Sequence, residues 1–404
     1  MNYYSKDDVL AFIKEEDVKF IRLAFSDVYG NHKNVSISSG EIERAFERGI
    51  AIDGSAIKGF GEPIHSDLFL IPDPSTLAIL PWRPEQGKVV RMYSSIHYPD
   101  GRIYECDTRS YLKSVIKKAH EAGFDFTFGS ELEFYLFLLD EKGERTYDAQ
   151  DHAGYMDVYP EDRGENIRRE ICLNLERMGI YPECSHHEEG PGQNEIDFRY
   201  SEALEAADNA FTFKNVVRTI ALKNGLFADF SAKPRADYPG NGLHINMSLK
   251  SCPDDLNVSY MIAGIMDRIK EITLFLNPGD DSYSRLGKSK APLYISRSRE
   301  NRSQLIRVPY AEGKYKRLEL RSPDPECNVY LAYALLIEAA MEGILNKKKP
   351  DVDVDVNLYK ADERVLSTLE SLPSSLEEAK ALASDSLFVE QHMPYLLRDA
   401  YFNK

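Results

Sequence analysis

Residues 186–197, HHEEGPGQNEID, place two histidines and four carboxylates around a Gly-Pro-Gly turn. This segment has too many like charges for a comfortable surface loop and too few apolar side chains for a core strand. Carboxylates that lie close together repel one another unless a positive charge is near. The segment therefore raises the question of what holds Glu188, Glu189, Glu195 and Asp197 close together, and it offers Glu188 and Glu195 as candidate ligands of a cation.

A second acidic pair lies in the apolar stretch SELEFYLF, residues 130–137. Side chains two residues apart point to the same face of a strand, so Glu131 and Glu133 are expected on one face. Two carboxylates on an otherwise hydrophobic strand also favour a bound cation. The alternative interpretation is a solvated strand face that carries these acids by chance.

Two further strands show polar side chains at alternate positions. LHINMSLK (243–250) places His244, Asn246 and Ser248 on one face, and KRLELRS (316–322) does the same for Arg317, Glu319 and Arg321. A surface ladder of ion pairs is the ordinary interpretation of the second pattern. Arginines suit phosphate or carboxylate recognition, because guanidinium binds both in a bidentate manner, and NRSQLIR adds Arg302 and Arg307.

Together these segments supply five glutamates and one histidine as candidate ligands: Glu131, Glu133, Glu188, Glu195, Glu319 and His244. Hard oxygen ligands with one imidazole favour Mg²⁺ or Mn²⁺ over Zn²⁺. A zinc site built from Cys184, His186 and His187 is disfavoured, because their spacing fits no common zinc motif. The sequence contains neither a P-loop nor a dinucleotide-binding glycine pattern, so a bound nucleotide would be held in another way.

Composition limits the class of protein. The 404 residues carry 50 Lys and Arg against 66 Asp and Glu, a net charge of −16, which disfavours binding to nucleic acid. The five cysteines are scattered and form no C-x-x-C pair, which is typical of reduced thiols. MNYYSKDDVL lacks the features of a secretory signal, and no apolar run is long enough to span a membrane. A cytoplasmic protein is expected.

The order of predicted elements suggests two domains with an α+β fold. A helix at 7–18, strands at 18–27, 33–38 and within 77–102, and a helix at 41–50 would form an N-terminal domain of residues 1–101. Residues 102–404 would form a second, larger domain. It would contain strands within 125–140 and at 243–250, 302–309 and 316–323, and helices at 108–123, 165–179, 201–225, 257–276 and 328–346.

These segments together resemble the glutamine synthetase family of bacterial type I, in order and nearly from end to end. The motifs are DGSAIKGF, GSELEF, HHEEGPGQNEID, GNGLHINMSL, ENRSQLIRVP and KRLELRSPDPECNVYLA. The resemblance implies an N-terminal β-grasp domain and a catalytic domain in which antiparallel strands, flanked by helices, form a funnel. It implies an ATP-dependent glutamate–ammonia ligase that acts through γ-glutamyl phosphate, with ATP entering one end of the funnel and glutamate the other.

The same resemblance assigns roles to particular residues. Two or three Mg²⁺ or Mn²⁺ ions per subunit are implied, one held by Glu133, Glu188 and Glu195 and another by Glu131, His244 and Glu319. Arg302 and Arg307 would contact the transferred phosphoryl group. Glutamate and amine would meet Gly240, Arg285, Arg321 and Tyr155. The nucleotide would be bound by Glu183, Tyr200, Asn246, Ser248, Lys314 and Arg317.

The resemblance also implies a homo-oligomer with active sites between subunits. In the family, the residue at the position of Asp53 comes from a neighbouring subunit and contributes to the ammonium pocket. A hexameric ring or a double ring is implied. The C-terminal tail that helps to lock two rings together in the family is not matched after DAYFNK, so the number of rings stays open.

The sequence departs from the family pattern around the amine. A family serine is Ala56 here, and the family Asn-Gly before the histidine strand is Pro239-Gly240. The family flap carries a glutamate that takes a proton from ammonium, whereas RLGKSKAP (285–292) is one residue shorter and places Lys290 there. A protonated lysine would repel ammonium and cannot act as its base.

Three interpretations follow from these departures. The flap could realign so that Asp53 or Glu188 acts as the base, which keeps glutamate–ammonia ligase as the main prediction. The enzyme could instead join glutamate to an amine other than ammonia. The third alternative is a catalytically impaired relative that binds nucleotide and metal. Glu189 stands where the family usually has an apolar residue and is not predicted as a ligand.

Overall fold

The chain builds two β-sheets from consecutive parts of its sequence. The computed structural model describes residues 4–61, 64, 66–250, 255–350 and 353–403. Among these residues, no helix combines the length and the apolar character that are needed to cross a membrane.

The first sheet has six strands: β1 (Val18–Ser26), β2 (His32–Ser38), β3 (Ile50–Asp53), β4 (Asp67–Pro72), β5 (Ala78–Ile79) and β6 (Lys88–His97). Their order is β2-β1-β6-β4-β3, with β5 beside β6, and only β1 and β6 run parallel. Two helices, α1 (Lys6–Glu15) and α2 (Ile42–Arg48), accompany the sheet. This arrangement confirms the predicted β-grasp fold.

The second sheet has ten strands: β7 (Phe126–Leu139), β8 (Arg145–Ala149), β9 (Pro182–His187), β10 (Gln193–Phe198), β11 (Ser201–Glu202), β12 (Leu226–Asp229), β13 (Leu243–Leu249), β14 (Arg297–Arg299), β15 (Ile306–Val308) and β16 (Leu318–Leu320). Their order is β14-β15-β16-β13-β7-β10-β9, and β8, β11 and β12 also pair with β7. All pairs are antiparallel except β14 with β15. The long strand β7 is thus the centre of the sheet.

In the part of the chain that the structure describes, ten helices accompany the second sheet in sequence: α3 (Thr108–Glu121), α4 (Glu165–Arg177), α5 (Ala203–Lys223), α6 (Asp255–Leu276), α7 (Asp280–Arg285), α8 (Val329–Leu345), α9 (Glu363–Leu366), α10 (Leu376–Ser384), α11 (Leu387–His392) and α12 (Tyr395–Phe402). Helix α8 is buried along almost its whole length. Its one deeply buried acid, Glu338, accepts hydrogen bonds from Lys118 Nζ at 2.7 and 2.9 Å. Pairing of this kind is what makes a charge tolerable in a core.

Helices α6 and α8 cross at two glycines. A Cβ on Gly264 would lie 2.1 Å from the carbonyl oxygen of Ala339, and a Cβ on Gly343 would lie 2.0 Å from that of Tyr260. Only glycine allows backbones to approach this closely. The crossing brings the apolar faces of both helices into the main core, beneath the sheet that carries the polar clusters.

Two strands are shorter than predicted. The strand expected at 302–309 covers only Ile306–Val308, because the preceding residues form a turn in which the Asn301 side chain accepts hydrogen bonds from the Ser303 amide and hydroxyl. The strand expected at 316–323 covers only Leu318–Leu320. In the first of these segments, hydrogen bonds to an asparagine side chain take the place of the hydrogen bonds between strands that the alternating pattern predicts.

Candidate active site

Strand register brings the predicted ligands together. In the pairing of β13 with β7, His244 lies directly opposite Glu131. In the pairing of β10 with β7, Glu195 lies opposite Glu133 and Asp197 lies opposite Glu131. Directly opposed residues in an antiparallel pair have side chains on the same face at close range. The acids of two separate sequence segments and the histidine of a third therefore meet on one face of the sheet.

The first cluster consists of Glu131, His244 and Glu319, each of which offers a ligand atom within 4.8 Å of the others. This is one of the two ligand sets that the resemblance implied. His244 Nδ1 lies 3.2 Å from Glu131 Oε2. Oxygen donors with one imidazole at this spacing match the preferences of Mg²⁺ and Mn²⁺.

The second implied set, Glu133, Glu188 and Glu195, is arranged differently. Glu195 belongs to two groups of candidate ligands, one with Glu133 and His244 and the other with Glu188 and His186. The part of the chain that the structure describes contains no group that unites all three of these glutamates. The assignment of these three residues to one ion stays a prediction.

His186 is a member of the cluster that the sequence reasoning missed. Its Nε2 lies 3.5 Å from Glu195 Oε1 and its Nδ1 lies 3.6 Å from Glu188 Oε1. Alternation along β9 did not reveal this role, because it depends on the strand register that places His186 directly opposite Glu195. The adjacent His187 points the other way and is fully buried, with Nε2 2.9 Å from Asp151 Oδ1.

Glu319 is held between two arginines. Arg307 Nη1 lies 2.6 Å from Glu319 Oε2, and Arg321 Nη1 donates to Glu319 Oε1. Only 1% of the Glu319 side chain is exposed. Burying a carboxylate is costly unless it is paired and hydrogen-bonded, and these two partners provide that. The alternative interpretation of these residues as a surface ladder is therefore wrong, because Glu319 and Arg321 are buried.

The electrostatics of the cluster reflect crowded negative charges. Burial raises the pKa of Glu188 to about 7, and the charges of Glu133 and Glu195 act in the same direction. Burial and the charges of Glu195 and Glu131 raise the pKa of Asp197 to about 9. Burial also acts to raise the pKa of Glu131, but the hydrogen bonds with His244 and Asn246 and the charges of His244 and Arg321 together outweigh this and lower the pKa to about 2. A divalent cation would stabilise the charged forms of all of them.

A large cavity of about 790 Å³ opens on one side of the cluster. It is lined by Glu183, Tyr200, Asn246, Ser248 and Arg317, all predicted to bind the nucleotide, and by Glu131. Arg317 lies over the Tyr200 ring, 5.9 Å from its centroid. An arginine stacked on an aromatic ring at the edge of a cavity suits the recognition of a flat, charged ligand.

Hydrogen bonds connect this cavity to the cluster. Arg317 Nε donates to Asn246 Oδ1 at 3.2 Å, and Asn246 Nδ2 donates to Glu131 Oε1 at 2.8 Å. Ser248 is used differently, since its hydroxyl donates to the Lys316 carbonyl at 2.7 Å. Lys314, the remaining nucleotide residue that was predicted, has a side chain that lies outside the described part of the structure.

A smaller cavity of about 260 Å³ opens on the other side. Glu131 borders both cavities, so the cluster lies where they meet. The predicted substrate residues Tyr155, Gly240, Arg285 and Arg321, together with Arg302, line this smaller cavity. Arg285 is 3% exposed and donates to the Ser322 carbonyl at 2.7 Å, which fixes its guanidinium at the cavity wall.

Gln193 shapes the floor of this cavity. Its Nε2 donates to Glu133 Oε2 at 3.0 Å and to the Gly240 carbonyl at 3.2 Å. A Cβ on Gly240 would lie 2.7 Å from Cγ of Arg285, so glycine is required where the chain passes this arginine. No sequence pattern pointed to this role of Gln193, although the residue directly follows the Gly-Pro-Gly turn.

Asp53 does not join the site within one chain. It ends β3 on the surface, where its carboxylate accepts hydrogen bonds from the Ser55 amide at 2.9 Å and hydroxyl at 2.7 Å. Asp53 is absent from the described residues that line the two cavities. The prediction that Asp53 acts in the site of a neighbouring subunit stays a prediction.

The flap residue Lys290 crosses the mouth of the smaller cavity. Its Nζ lies 2.6 Å from Glu189 Oε1 and 5.2 Å from the centroid of the Tyr155 ring. Glu189 belongs to none of the candidate ligand groups among the described residues. The two positions that depart from the family pattern in charge are therefore in direct contact.

A fourth group of candidate ligands, Asp151, Asp162 and His187, has a structural role. Asp162 forms a buried ion pair with Arg168. Asp151 accepts hydrogen bonds from the amides of Gly192 at 3.0 Å and Arg163 at 3.0 Å as well as contacting His187. With these partners the three side chains fix the turn after β9, next to the cluster.

Comparisons with known proteins agree with this geometry. Residues 17–99 match the glutamine synthetase β-grasp domain, and residues 105–403 match the glutamine synthetase catalytic domain. Glutamine synthetase of Methanosarcina mazei is 44% identical, over 96% of this chain and 90% of its own length. Glutamine synthetase of Thermotoga maritima is 42% identical, over 95% of this chain and 91% of its own length.

Solved structures show the same architecture. A structure described as a GmaS/ADP complex superimposes with a TM-score of 0.89 at 26% identity, covering 98% of this chain and 94% of that one. Apo GmaS superimposes with a TM-score of 0.87 at 27% identity. The predicted fold is confirmed, while the domain boundary at residue 101 stays a prediction. The chain belongs to the glutamine synthetase family and is an ATP-dependent carboxylate–amine ligase.

Proposed function

We propose that this enzyme makes glutamine from glutamate and ammonia through γ-glutamyl phosphate, at the junction of the two cavities. The observation that carries the proposal is that Glu131 and its cluster separate a cavity of about 790 Å³ from one of about 260 Å³. A nucleoside triphosphate is larger than an amino acid, just as the first cavity is larger than the second. Reactants that enter from opposite sides would meet at the acidic cluster, which is the arrangement that phosphoryl transfer requires.

The cluster fits divalent cations. Glu131, His244 and Glu319 would hold one Mg²⁺ or Mn²⁺, and Glu195 with Glu133, Glu188 and His186 would hold one or two more. When bound, these ions neutralise the charge of the phosphate oxygens. The raised pKa values of Glu188 and Asp197 support this proposal, because they mark a surplus of negative charge that lacks compensation from the protein.

The larger cavity would receive ATP. Tyr200 and Arg317 would contact the flat base, and the hydrogen-bond chain through Asn246 would connect the nucleotide end to Glu131. The presence of ADP in a structure described as a GmaS complex supports this assignment. Glu183, Ser248 and Lys314 complete the proposed nucleotide set.

The smaller cavity would receive glutamate. Arg285 and Arg321 would face its α-carboxylate, beside Gly240. An oxygen of the γ-carboxylate would attack the γ-phosphorus of ATP and ADP would leave. The amine nitrogen would then attack the acyl carbon and phosphate would leave. Arg302 and Arg307 would stabilise charge on the transferred phosphoryl group, which is the usual task of arginine at such a site.

A second candidate, a γ-glutamyl ligase for an amine other than ammonia, is favoured by one observation. The ammonium group of Lys290 lies at the mouth of the cavity through which the amine would enter. We also retain as proposals an oligomer in which Asp53 completes the site of a neighbouring subunit, in a single or double hexameric ring, and a cytoplasmic location.

The test is an assay of purified protein with ATP, Mg²⁺ or Mn²⁺ and glutamate. Ammonium, hydroxylamine, polyamines or no amine would be added in separate reactions, and both phosphate and the amide product would be measured. Glutamine formation is expected. Turnover that occurs only with an organic amine would favour the second candidate, and failure to trap the acyl phosphate with hydroxylamine would contradict both.

A further inference from the structure

Two residues outside the proposed catalytic set meet at the mouth of the smaller cavity. The family pattern has an apolar residue where this chain has Glu189, and a flap glutamate where it has Lys290. Here the two side chains carry opposite charges and lie 2.6 Å apart, as Lys290 Nζ and Glu189 Oε1. The departures therefore form a pair, and each is explained by the other.

Glu189 stands on a rigid support. It lies in the turn between β9 and β10, where the Gln193 side chain accepts a hydrogen bond from the Gly190 amide at 3.0 Å and donates to Glu133. A Cβ on Gly190 would lie 2.0 Å from the Tyr135 hydroxyl oxygen, so the turn is packed closely against β7. The Glu189 carboxylate is thus positioned relative to the acidic cluster.

Lys290 lies in the flap, residues 285–292. Gly287 and Ser289 have left-handed backbones, with φ of 76° and 53°, and the Ala291 amide donates to the Lys288 carbonyl at 3.0 Å. Tyr359 donates its hydroxyl to the Lys290 carbonyl at 2.5 Å. The contact with Glu189 is a second polar tie of this residue to another part of the chain, and Lys290 also lies over the Tyr155 ring.

The ion pair between Lys290 and Glu189 is weak enough to break and re-form in each catalytic cycle. The Lys290 side chain is 54% exposed and that of Glu189 is 38% exposed. An ion pair as exposed as this changes an equilibrium by up to about fivefold, because water screens it. It can favour a closed flap without preventing glutamate from entering.

We propose that Lys290 and Glu189 are positioning residues that latch the flap over the glutamate end of the site, a role that rests on the proposed ligase function. The closed flap keeps water from the γ-glutamyl phosphate. If water attacks its acyl carbon, the bond from that carbon to the phosphate oxygen breaks, and glutamate and inorganic phosphate are released. ATP is then consumed without formation of an amide.

The experiment measures the phosphate released per amide formed and the KM for glutamate, using full-length protein. Glu189→Gln and Lys290→Met each remove one charge and are expected to raise the ratio by up to about fivefold. Exchanging the charges in Glu189→Lys/Lys290→Glu should return the ratio to near the wild-type value, as expected for residues that act as a pair. Lys270→Met is the matched control, because it breaks a similarly exposed pair with Glu370 at 3.1 Å away from the site.

The single change Lys290→Glu is the most sensitive test of the latch. It introduces the residue of the family flap, yet places two carboxylates face to face, so the latch predicts the largest increase in the ratio of all the variants. An improved ratio for this variant, or unchanged ratios for Glu189→Gln and Lys290→Met, would overturn the proposal.

Hydrogen exchange at the flap amides tests the latch without turnover. The amides of Lys288 and Ala291 are hydrogen-bonded within the flap, and their exchange should accelerate up to about fivefold in Glu189→Gln and Lys290→Met but not in Lys270→Met. Unchanged exchange would contradict the latch. If the wild-type protein forms no acyl phosphate, the ligase function is contradicted. Accelerated exchange in the two variants would support the latch even in that case.

Discussion

His244 lies directly opposite Glu131 in the antiparallel pairing of β13 with β7, with its Nδ1 3.2 Å from Glu131 Oε2. The next strand on the other side of β7 repeats the arrangement, since β10 places Glu195 opposite Glu133. Strand pairing alone therefore converts three distant sequence segments into one cluster of ligands.

The variant Glu195→Gln is expected to lose most of the thermal stabilisation by Mn²⁺, because it removes a candidate ligand shared by two groups. A ligand at a hundred times its Kd stabilises a protein by about 2.7 kcal/mol, so the wild-type shift should be easily measured. In EDTA the variant should be as stable as wild type, since one of several crowded negative charges is gone. Thermal unfolding with and without Mn²⁺ checks both statements, and an undiminished Mn²⁺ shift would contradict the assignment.

Replacement of Glu319 by alanine should destabilise the protein even without metal. It leaves Arg321 buried and Arg307 half-buried without their shared carboxylate. Removing one partner of a buried ion pair typically costs about 3–5 kcal/mol. Urea unfolding in EDTA measures the loss. Glu312→Gln, at an exposed glutamate that accepts a hydrogen bond from Tyr310, is the control and should change the free energy of unfolding by less than about 0.5 kcal/mol.

Gly264→Ala should separate helices α6 and α8. The new Cβ would lie 2.1 Å from the Ala339 carbonyl oxygen, a backbone atom that cannot move aside without shifting the helix. Overpacking of this kind costs about 1–3 kcal/mol or more. Gly40→Ala is the matched control, because a Cβ there meets no atom within 4 Å among the described residues. Equal melting temperatures for the two variants would be inconsistent with the crossing.

Arg302→Met should lower kcat by a factor of ~100 with little change in the KM for ATP, because its charge is proposed to act on the transferred phosphoryl group. Arg302 lines the smaller cavity and forms no ion pair within the described ranges of the chain. The exposed Arg299, at the end of β14, provides the control variant Arg299→Met. Steady-state kinetics would contradict the assignment if Arg302→Met raised KM alone.

The ion pair of Arg268 with Glu342 should contribute stability that depends on pH. Two hydrogen bonds of 2.8 Å join them across helices α6 and α8, and they lower the pKa of Glu342 below its ordinary value of 4.5. A depressed pKa in the folded state means that the contribution is present above the pKa of the unfolded chain and is lost as pH falls through the lower folded value. The stability difference between wild type and Glu342→Gln should therefore shrink below about pH 4.5, as urea unfolding at several pH values would show. A difference that is constant from pH 7 to pH 3 would contradict the pairing.

The amino-acid sequence was sufficient for the main elements and for most members of the cluster. Period-two alternation placed Glu131 with Glu133 and His244 with Asn246, because the side-chain geometry of a strand is local. It did not identify His186, since its role depends on the register of β9 against β10. Nor did alternation reveal that Glu319 is enclosed by Arg307 and Arg321, because their burial depends on the packing of neighbouring strands and loops.

By itself, the sequence determined the family, the two-sheet fold and the chemical types of the ligands, all of which follow from local patterns and ordered motifs. Only the tertiary structure decided that Lys290 meets Glu189, since these residues lie about a hundred positions apart and no short-range rule relates them. Charge at a single position suggested repulsion of the amine, whereas the folded chain supplies an opposite charge at 2.6 Å. Electrostatic consequences depend on distances in space, and folding sets those distances.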